Sequence, residues 1–339
     1  MRAVAYSAAG PIEAKDSLVN VEMPEPVLGD RDLLVEVKAI SVNPVDTKVR
    51  RKVSPQSGEL KILGWDAAGV VIATGTNVQN FKRGDKVYYA GDLNRQGTNA
   101  ERHAVDERIV GRMPKTLDFA AAAALPLTAI TAWEALFDRL DVNRPIPGPD
   151  NSILIIGGAG GVSSIAIQLA RQLTKFKVIA TASNDASHAW VTLMGAHVVL
   201  DHRAPLVEEI RKHGLTAPAF VFGTTQTEMH LPAIAELIAP QGRFAVIDDP
   251  SVLDINPFKR KSVSVHWEFM FTRSMHQTAD IAEQGQLLNE VARLVDSGKI
   301  KPTLGDNFGL ITAENLKRAH VHIESGRVKG KVVLEGFGT

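Results

Sequence analysis

The residues whose type and spacing point most directly to chemistry lie in 152–173, SILIIGGAGGVSSIAIQLARQL. The stretch opens with a short apolar β run, 153–156. It breaks into five small residues, Gly157 to Gly161, and then turns helical, with Ile165, Leu169, Ala170 and Leu173 on one face. Strand, glycine turn and helix in that order is the context a dinucleotide site demands. Gly158 allows the tight turn, and Gly160 lets the backbone approach a pyrophosphate that faces the helix N-terminal N–H groups. The candidate phosphate loop is therefore Gly158, Ala159, Gly160, Gly161 and Val162. Ser163 stands where the third glycine of G-x-G-x-x-G is expected, a small residue that still allows close helix–strand packing. A glycine-rich turn in an ordinary βαβ unit is the competing reading.

The elements that must position this turn follow from the pattern around it. Strands are expected at 177–181, 197–200, 219–222, 243–247 and 263–266, with helices at 185–194, 206–213 and 229–238. Six strands with intervening helices predict a doubly wound parallel sheet. Residues 1–125 read differently. Residues 33–40 alternate as a half-buried strand, and 69–74, 86–89 and 108–112 are further short strands, with Gly75 and Gly84-Asp85 as turns and no long helix. That suggests a small barrel-like β domain. Between the two, Asp118 caps a helix that Pro126 breaks and 128–137 resumes, and 143–150 is a turn-rich loop. Helices at 277–297 and 316–325 and a strand at 331–334 can complete the first domain, making it discontinuous: 1–125 with 270–339, and 126–269.

The 339 residues suffice for two domains. With 38 basic and 38 acidic side chains interspersed, nothing points to nucleic acid or an anionic membrane. The absence of cysteine removes disulfides and thiolate metal sites. The N-terminus lacks a signal peptide's apolar core, and the apolar run 119–137 is interrupted by Pro126, Thr and Glu, so it would span a bilayer poorly. A cytoplasmic protein is expected.

The order of landmarks is Asn43-Pro44-Val45-Asp46, Leu63-Gly64-Trp65-Asp66-Ala67-Ala68-Gly69, Gly84-Asp85-Lys86-Val87, Ala124-Leu125-Pro126-Leu127-Thr128, Gly160-Gly161-Val162, Gly195-Ala196-His197 and Gly330-Lys331. It resembles the quinone oxidoreductase branch of the medium-chain dehydrogenase/reductase superfamily. Residues 266–274, HWEFMFTRS, are similar to its zinc-type alcohol dehydrogenase-like subgroup. The resemblance covers essentially the whole chain. It implies an α/β protein with a GroES-like β-barrel domain and a Rossmann doubly wound parallel sheet, and a homodimer or homotetramer built through Rossmann sheet edges.

The resemblance also suggests zinc, but the residues oppose it. Zinc enzymes of this superfamily place Cys where Asn43 stands and His-Glu where Trp65-Asp66 stands. Asp66 alone cannot supply a tetrahedral donor set, and His320 and His322, two apart on a helix, point to different faces. Without a Lewis acid, the feasible hydride acceptors are already activated: quinones and α,β-unsaturated carbonyls. The implied nicotinamide site includes Asn43, whose amide would donate to a developing enolate oxygen or else cap the turn before Pro44, and Thr128, a contact to the nicotinamide amide or a helix N-cap. Asp46 is expected to pair with Lys48 or Arg50 rather than act as a base, and Tyr89 is a candidate proton donor or else packing. Main-chain contacts are implied at Phe222, Gly223 and Thr224, and pocket walls at Phe269 and Phe271, an aromatic pair that can equally be dimer core.

Cofactor preference rests on the second strand. A NAD site carries an acid at its end. Here it ends in Ala182-Ser183-Asn184, neutral, which favours NADPH while leaving NADH open, with His188 or Arg203 as cations within reach of a 2′-phosphate. The expected activity is a zinc-independent NADPH-dependent reductase of quinones or enones. A zinc-dependent alcohol dehydrogenase and a non-catalytic NADPH-binding sensor are the alternatives.

Overall fold

A computed structural model describes residues 1–147 and 151–338 of the chain. The chain divides into two compact units, Met1–Ile130 with Phe271–Thr339, and Thr131–Met270.

The second unit is built on a six-stranded sheet. Its spatial order is Val198–Asp201, Lys177–Ala182, Ser152–Ile156, Phe220–Gly223, Arg243–Val246 and Ser264–Trp267, all parallel. Counted along the chain this is 3-2-1-4-5-6, the doubly wound order. The central strand Ser152–Ile156 is buried at every residue. A sheet covered on both faces selects such unbroken apolar runs rather than alternation. Leu154, Ile156, Val221, Phe244 and Phe258 anchor one core layer.

The first unit is β-rich. A seven-stranded sheet places Lys331–Glu335, Asp32–Val42, Asp66–Thr74 and Lys86–Ala90 side by side, and a three-stranded sheet pairs Arg2–Tyr6 with Val19–Glu22 and Lys61–Ile62. The GroES-like β domain thus draws on both chain ends.

Several expected elements differ. A nine-residue helix, Pro44–Lys52, lies in the region read as having no long helix; Pro44 opens it and Asp46 accepts the Asn43 N–H at 2.7 Å. Its length and polarity leave no apolar period to see. The helix expected at 277–297 starts six residues later, as Glu283–Asp296, and a separate short helix, Thr272–His276, precedes it and ends where Gln277 takes a left-handed φ of 49°. Residues 108–112 are one 3-10 turn, Glu107–Ile109, then a strand, Val110–Arg112. The last three residues of the 143–150 loop lie outside the described residues. Among the described residues one helical stretch, Phe119–Arg139, is long and apolar enough to cross a membrane, yet 83% of its apolar window is buried inside the protein, which marks a core segment.

Candidate functional site

The glycine turn follows the central strand of the parallel sheet, where the strand order reverses and ligands of such sheets bind. Gly157 has a φ of 80°, and its N–H donates to the Thr181 hydroxyl at 3.0 Å. Gly158 N–H donates to the Thr181 carbonyl at 2.9 Å, and a Cβ there would sit 2.8 Å from that oxygen. Gly158 is therefore a glycine of the fold. Gly160 is different: its φ is −68°, and a Cβ would meet only the Gly157 carbonyl at 3.5 Å. The fold has room for a side chain at Gly160, so its bare backbone faces outward. Gly160 is also the N-cap of the 13-residue helix Gly161–Leu173, and no side chain caps that helix. Its first-turn N–H groups, at Gly161, Val162 and Ser163, have no intrahelical acceptor, and the helix dipole adds positive potential there. With Ala159 half-buried beside them, these residues fit a pyrophosphate.

Ser163, the departure from the glycine pattern, is fully buried and its hydroxyl lies 2.9 Å from the Thr224 hydroxyl, which donates to the Ile156 carbonyl at 2.7 Å. The serine staples the helix to the loop after the fourth strand. Phe222 and Gly223 are buried, and the Phe222 side chain is shut in the sheet, so these two residues can offer a ligand only main chain.

At the end of the second strand, Ser183 is half-buried and Asn184 caps the next helix, its Oδ1 accepting the Ser187 N–H at 2.9 Å. No acid stands there. His188 is exposed on that helix. Arg203 is not a free cation, because its guanidinium grips Asp201 at 2.6–3.1 Å and the hydrogen bonds hold that carboxyl down at about 2.

The first unit holds a buried charged centre. Strand Asp32–Val42 lies between Lys331–Glu335 and Asp66–Thr74, with Val332 opposite Val42 and Asp66 opposite Ser41. This register brings the start of two strands and the end of the third to one edge, and so gathers Lys331, Asn43 and Asp66. All three are at most 3% exposed. The Lys331 ammonium donates to Asn43 Oδ1 and, at 3.0 Å, to Asp66 Oδ2. Asn43 Nδ2 donates to the same Asp66 oxygen at 2.8 Å and to the Ser41 carbonyl at 3.3 Å. Asp66 Oδ1 accepts the Leu127 N–H at 2.7 Å, at the start of helix Pro126–Trp133. Asp46 lies next door, fully buried, and desolvation raises its pKa to about 7, with the Asp66 charge adding to the rise.

This geometry revises several expected roles. Both N–H groups of Asn43 are already donated, so as built it offers no free donor to a substrate oxygen. Thr128 is buried and its hydroxyl donates to the Leu125 carbonyl at 3.0 Å. Tyr89 is fully buried against His103, its hydroxyl 3.1 Å from Nδ1, and burial pushes its pKa up. His103, given no role from sequence, tethers it: its Nε2 is 3.0 Å from the Gln96 carbonyl, and burial lowers its pKa to about 4. A neutral ring donating from Nε2 accepts the tyrosine proton at Nδ1, so Tyr89 is locked in a packing role rather than presented as a proton donor. Phe271 is also core, edge-on to Trp65 at 5.9 Å, whereas Phe269 is 49% exposed. Asp46 pairs with the Asn43 backbone, while Arg50 goes to Gly10, His320 and Glu324. Lys331 stands in the sequence only as a landmark with no role attached, although a signal is present: a lysine opening a strand that is otherwise largely apolar and buried.

A zinc ion does not fit these residues. Both Asp66 oxygens are engaged by N–H donors and an ammonium, Trp65 fills the adjacent position with a buried ring, and His320 accepts the Arg50 Nε–H at its Nδ1. Among the described residues, no three His, Cys, Asp or Glu side chains converge to hold a metal.

Comparison with known proteins gives the lineage. Residues 29–121 match the alcohol dehydrogenase GroES-like domain, and residues 194–334 match the zinc-binding dehydrogenase family. A zinc-type alcohol dehydrogenase-like protein of Staphylococcus aureus (strain MRSA252) is 37% identical over 98% of this chain and 99% of its own. A quinone oxidoreductase of Lama guanicoe is 29% identical over 98% and 97%. A crystal structure from Rhizobium etli CFN 42, of a candidate zinc-dependent alcohol dehydrogenase, superposes with a TM-score of 0.98 at 59% identity, over 100% of this chain and 99% of that one. The chain belongs to the medium-chain dehydrogenase/reductase superfamily, in the zinc-type alcohol dehydrogenase-like subgroup of its quinone oxidoreductase branch, and carries no zinc ligands where that subgroup's label would place them.

Proposed function

We propose that this oxidoreductase is a zinc-independent, NADPH-dependent reductase of quinones or α,β-unsaturated carbonyls. The observation that carries the reading is the pairing of Asp66 with Lys331 and Asn43, which leaves an ammonium where a metal-dependent alcohol dehydrogenase needs open donor atoms. A reduced nicotinamide, when bound, supplies the hydride. The glycine turn and the uncapped helix Gly161–Leu173 hold the dinucleotide's pyrophosphate by backbone N–H groups. The neutral end of the second strand, Ser183 and Asn184, leaves room for a 2′-phosphate without repulsion, which favours NADPH over NADH. An acceptor whose negative charge delocalises onto oxygen asks of the protein only binding, orientation and water exclusion. Two electrons arrive with the hydride and one proton follows from solvent.

The working form is a cytoplasmic homodimer or homotetramer. Among the described residues the edge strand Ser264–Trp267 pairs with Arg243–Val246 alone, and its last residue, Trp267, is 54% exposed, a surface suited to a second copy. Light scattering of the purified protein checks this.

The deciding experiment is oxidation of NADPH and NADH by purified, EDTA-treated protein against 1,4-benzoquinone, 9,10-phenanthrenequinone, an alkenal and a simple aldehyde. Turnover of quinone or alkenal with NADPH, unchanged by chelation, is expected. Activity confined to alcohols and aldehydes and abolished by chelation overturns the reading. Tight NADPH binding with no turnover would point to a sensor instead.

A further inference from the structure

Lys331 has no place in the expected machinery, yet its ammonium is the hub of the first unit's centre. It donates to Asn43 Oδ1, which fixes the amide's orientation: the oxygen is committed to the lysine, so Nδ2 must turn to Asp66 and Ser41. It also holds Asp66 Oδ2 at 3.0 Å, leaving Oδ1 to take the Leu127 N–H at 2.7 Å. Leu127 is the second residue of helix Pro126–Trp133, and Pro126 has no N–H, so Asp66 is the anchor for that helix start. The next residue is Thr128. One buried cation therefore sets the two residues, Asn43 and Thr128, that the family resemblance assigns to the nicotinamide.

We propose that Lys331 is a positioning residue that serves as the resident cation of this centre, orienting Asn43 directly and Thr128 through Asp66, so that no divalent metal is required or accepted there. The proposal rests on the reductase reading for its kinetic readout. Its structural readout, the solvent exchange of the Asn43 side-chain amide, does not depend on that reading.

The test compares Lys331→Met, Lys331→Arg, Asp66→Asn and the charge-neutral double variant Lys331→Met/Asp66→Asn. Lys331→Met strands a buried carboxylate and can fail to fold; the double variant removes both charges and keeps the test open. The double variant is expected to fold and bind NADPH with a Kd close to wild type. Its kcat should fall about 100-fold, the order expected when reacting groups are misplaced by an ångström. Lys331→Arg should recover part of kcat, and added Zn²⁺ none. The Asn43 side-chain amide, followed by NMR, should exchange at least about tenfold faster in the double variant than in Asp66→Asn alone, because only the double variant also loses the ammonium that orients the amide oxygen. Wild-type kcat and amide exchange unchanged from Asp66→Asn in a folded double variant overturn the proposal, as does zinc-restorable loss of activity on chelating the wild type. If wild type turns over nothing, the reductase reading fails, and the amide exchange alone decides whether Lys331 positions Asn43.

Discussion

The glycine turn of the Thr131–Met270 unit and the Asn43–Asp66–Lys331 centre of the other unit are built from opposite materials. The turn works with backbone: N–H groups at a helix start, one left-handed glycine, and room left by missing side chains. The centre works with side chains, polar and charged and sealed from water, contributed by the starts of two strands and the residue that follows a third. A backbone site tolerates most substitutions except at the glycines. A buried charge cluster tolerates almost none of its members being lost alone, because each leaves a partner unsatisfied.

The largest effect should follow from Asp66→Ala. It leaves the Lys331 ammonium buried without its carboxylate and the Leu127 N–H without an acceptor. Breaking a buried pair from one side costs about 3–5 kcal/mol. Urea denaturation should show that loss in the midpoint with an unchanged m value. A loss under about 1 kcal/mol would mean that water reaches the centre and that the contrast between the two regions is false.

Within the glycine turn, two neighbours separate fold from function. Gly158→Ala pushes a methyl to 2.8 Å from the Thr181 carbonyl and should cost stability, about 1–3 kcal/mol as overpacking does. Gly160→Ala has an allowed φ of −68° and ordinary contact distances, so stability should stay within about 0.5 kcal/mol. Its methyl instead occupies the space where the backbone meets a pyrophosphate, and the NADPH Kd should rise at least about tenfold, roughly 1.4 kcal/mol. Equal loss of stability and affinity in both variants would erase the distinction.

The same contrast explains what the sequence could reveal. A backbone site is contiguous: strand, glycines and helix stand within 22 letters, so Gly158 and Gly160 were legible, and so was the parallel sheet that carries them. The charged centre is assembled by strand register, which places Lys331 beside a residue nearly 290 positions away. Neither composition nor periodicity records that register. The partners of Asn43 and Tyr89 are hidden for a related reason: residue type shows that an amide or a phenol is available, but not that another side chain has already claimed it. Nor does the sequence show that the His103 ring stacks on Tyr89 at 5.5 Å.

A subtler effect concerns Asp46. Burial raises its folded pKa to about 7 from the usual 3.8. The proton-bound form is thus favoured by folding. Its contribution to stability is complete below about pH 3.8 and is lost as pH rises through about 7. Asp46→Asn keeps an oxygen for the Asn43 N–H without the ionisation. The variant should gain on wild type steadily between pH 4 and pH 8, as read from urea midpoints across that range. A constant difference would place the Asp46 titration outside this window.

The smallest effect belongs to the rim of the backbone site. Arg203 is one residue beyond His202, whose N–H bonds the Ala182 carbonyl at the end of the second strand, yet its guanidinium is held by Asp201. The pair is exposed, so Asp201→Asn should change stability by less than about 1 kcal/mol. It releases a cation beside the strand end where a 2′-phosphate would lie. The ratio of NADH to NADPH dissociation constants should therefore rise by a few-fold, more at low salt than at 0.15 M, where charges are screened beyond about 8 Å. An unchanged ratio at both salt concentrations would mean that Arg203 does not reach the 2′ position and that the neutral Ser183-Asn184 terminus acts alone. The backbone site would then select its ligand without any charged side chain, which would draw the contrast with the Lys331 centre to its limit.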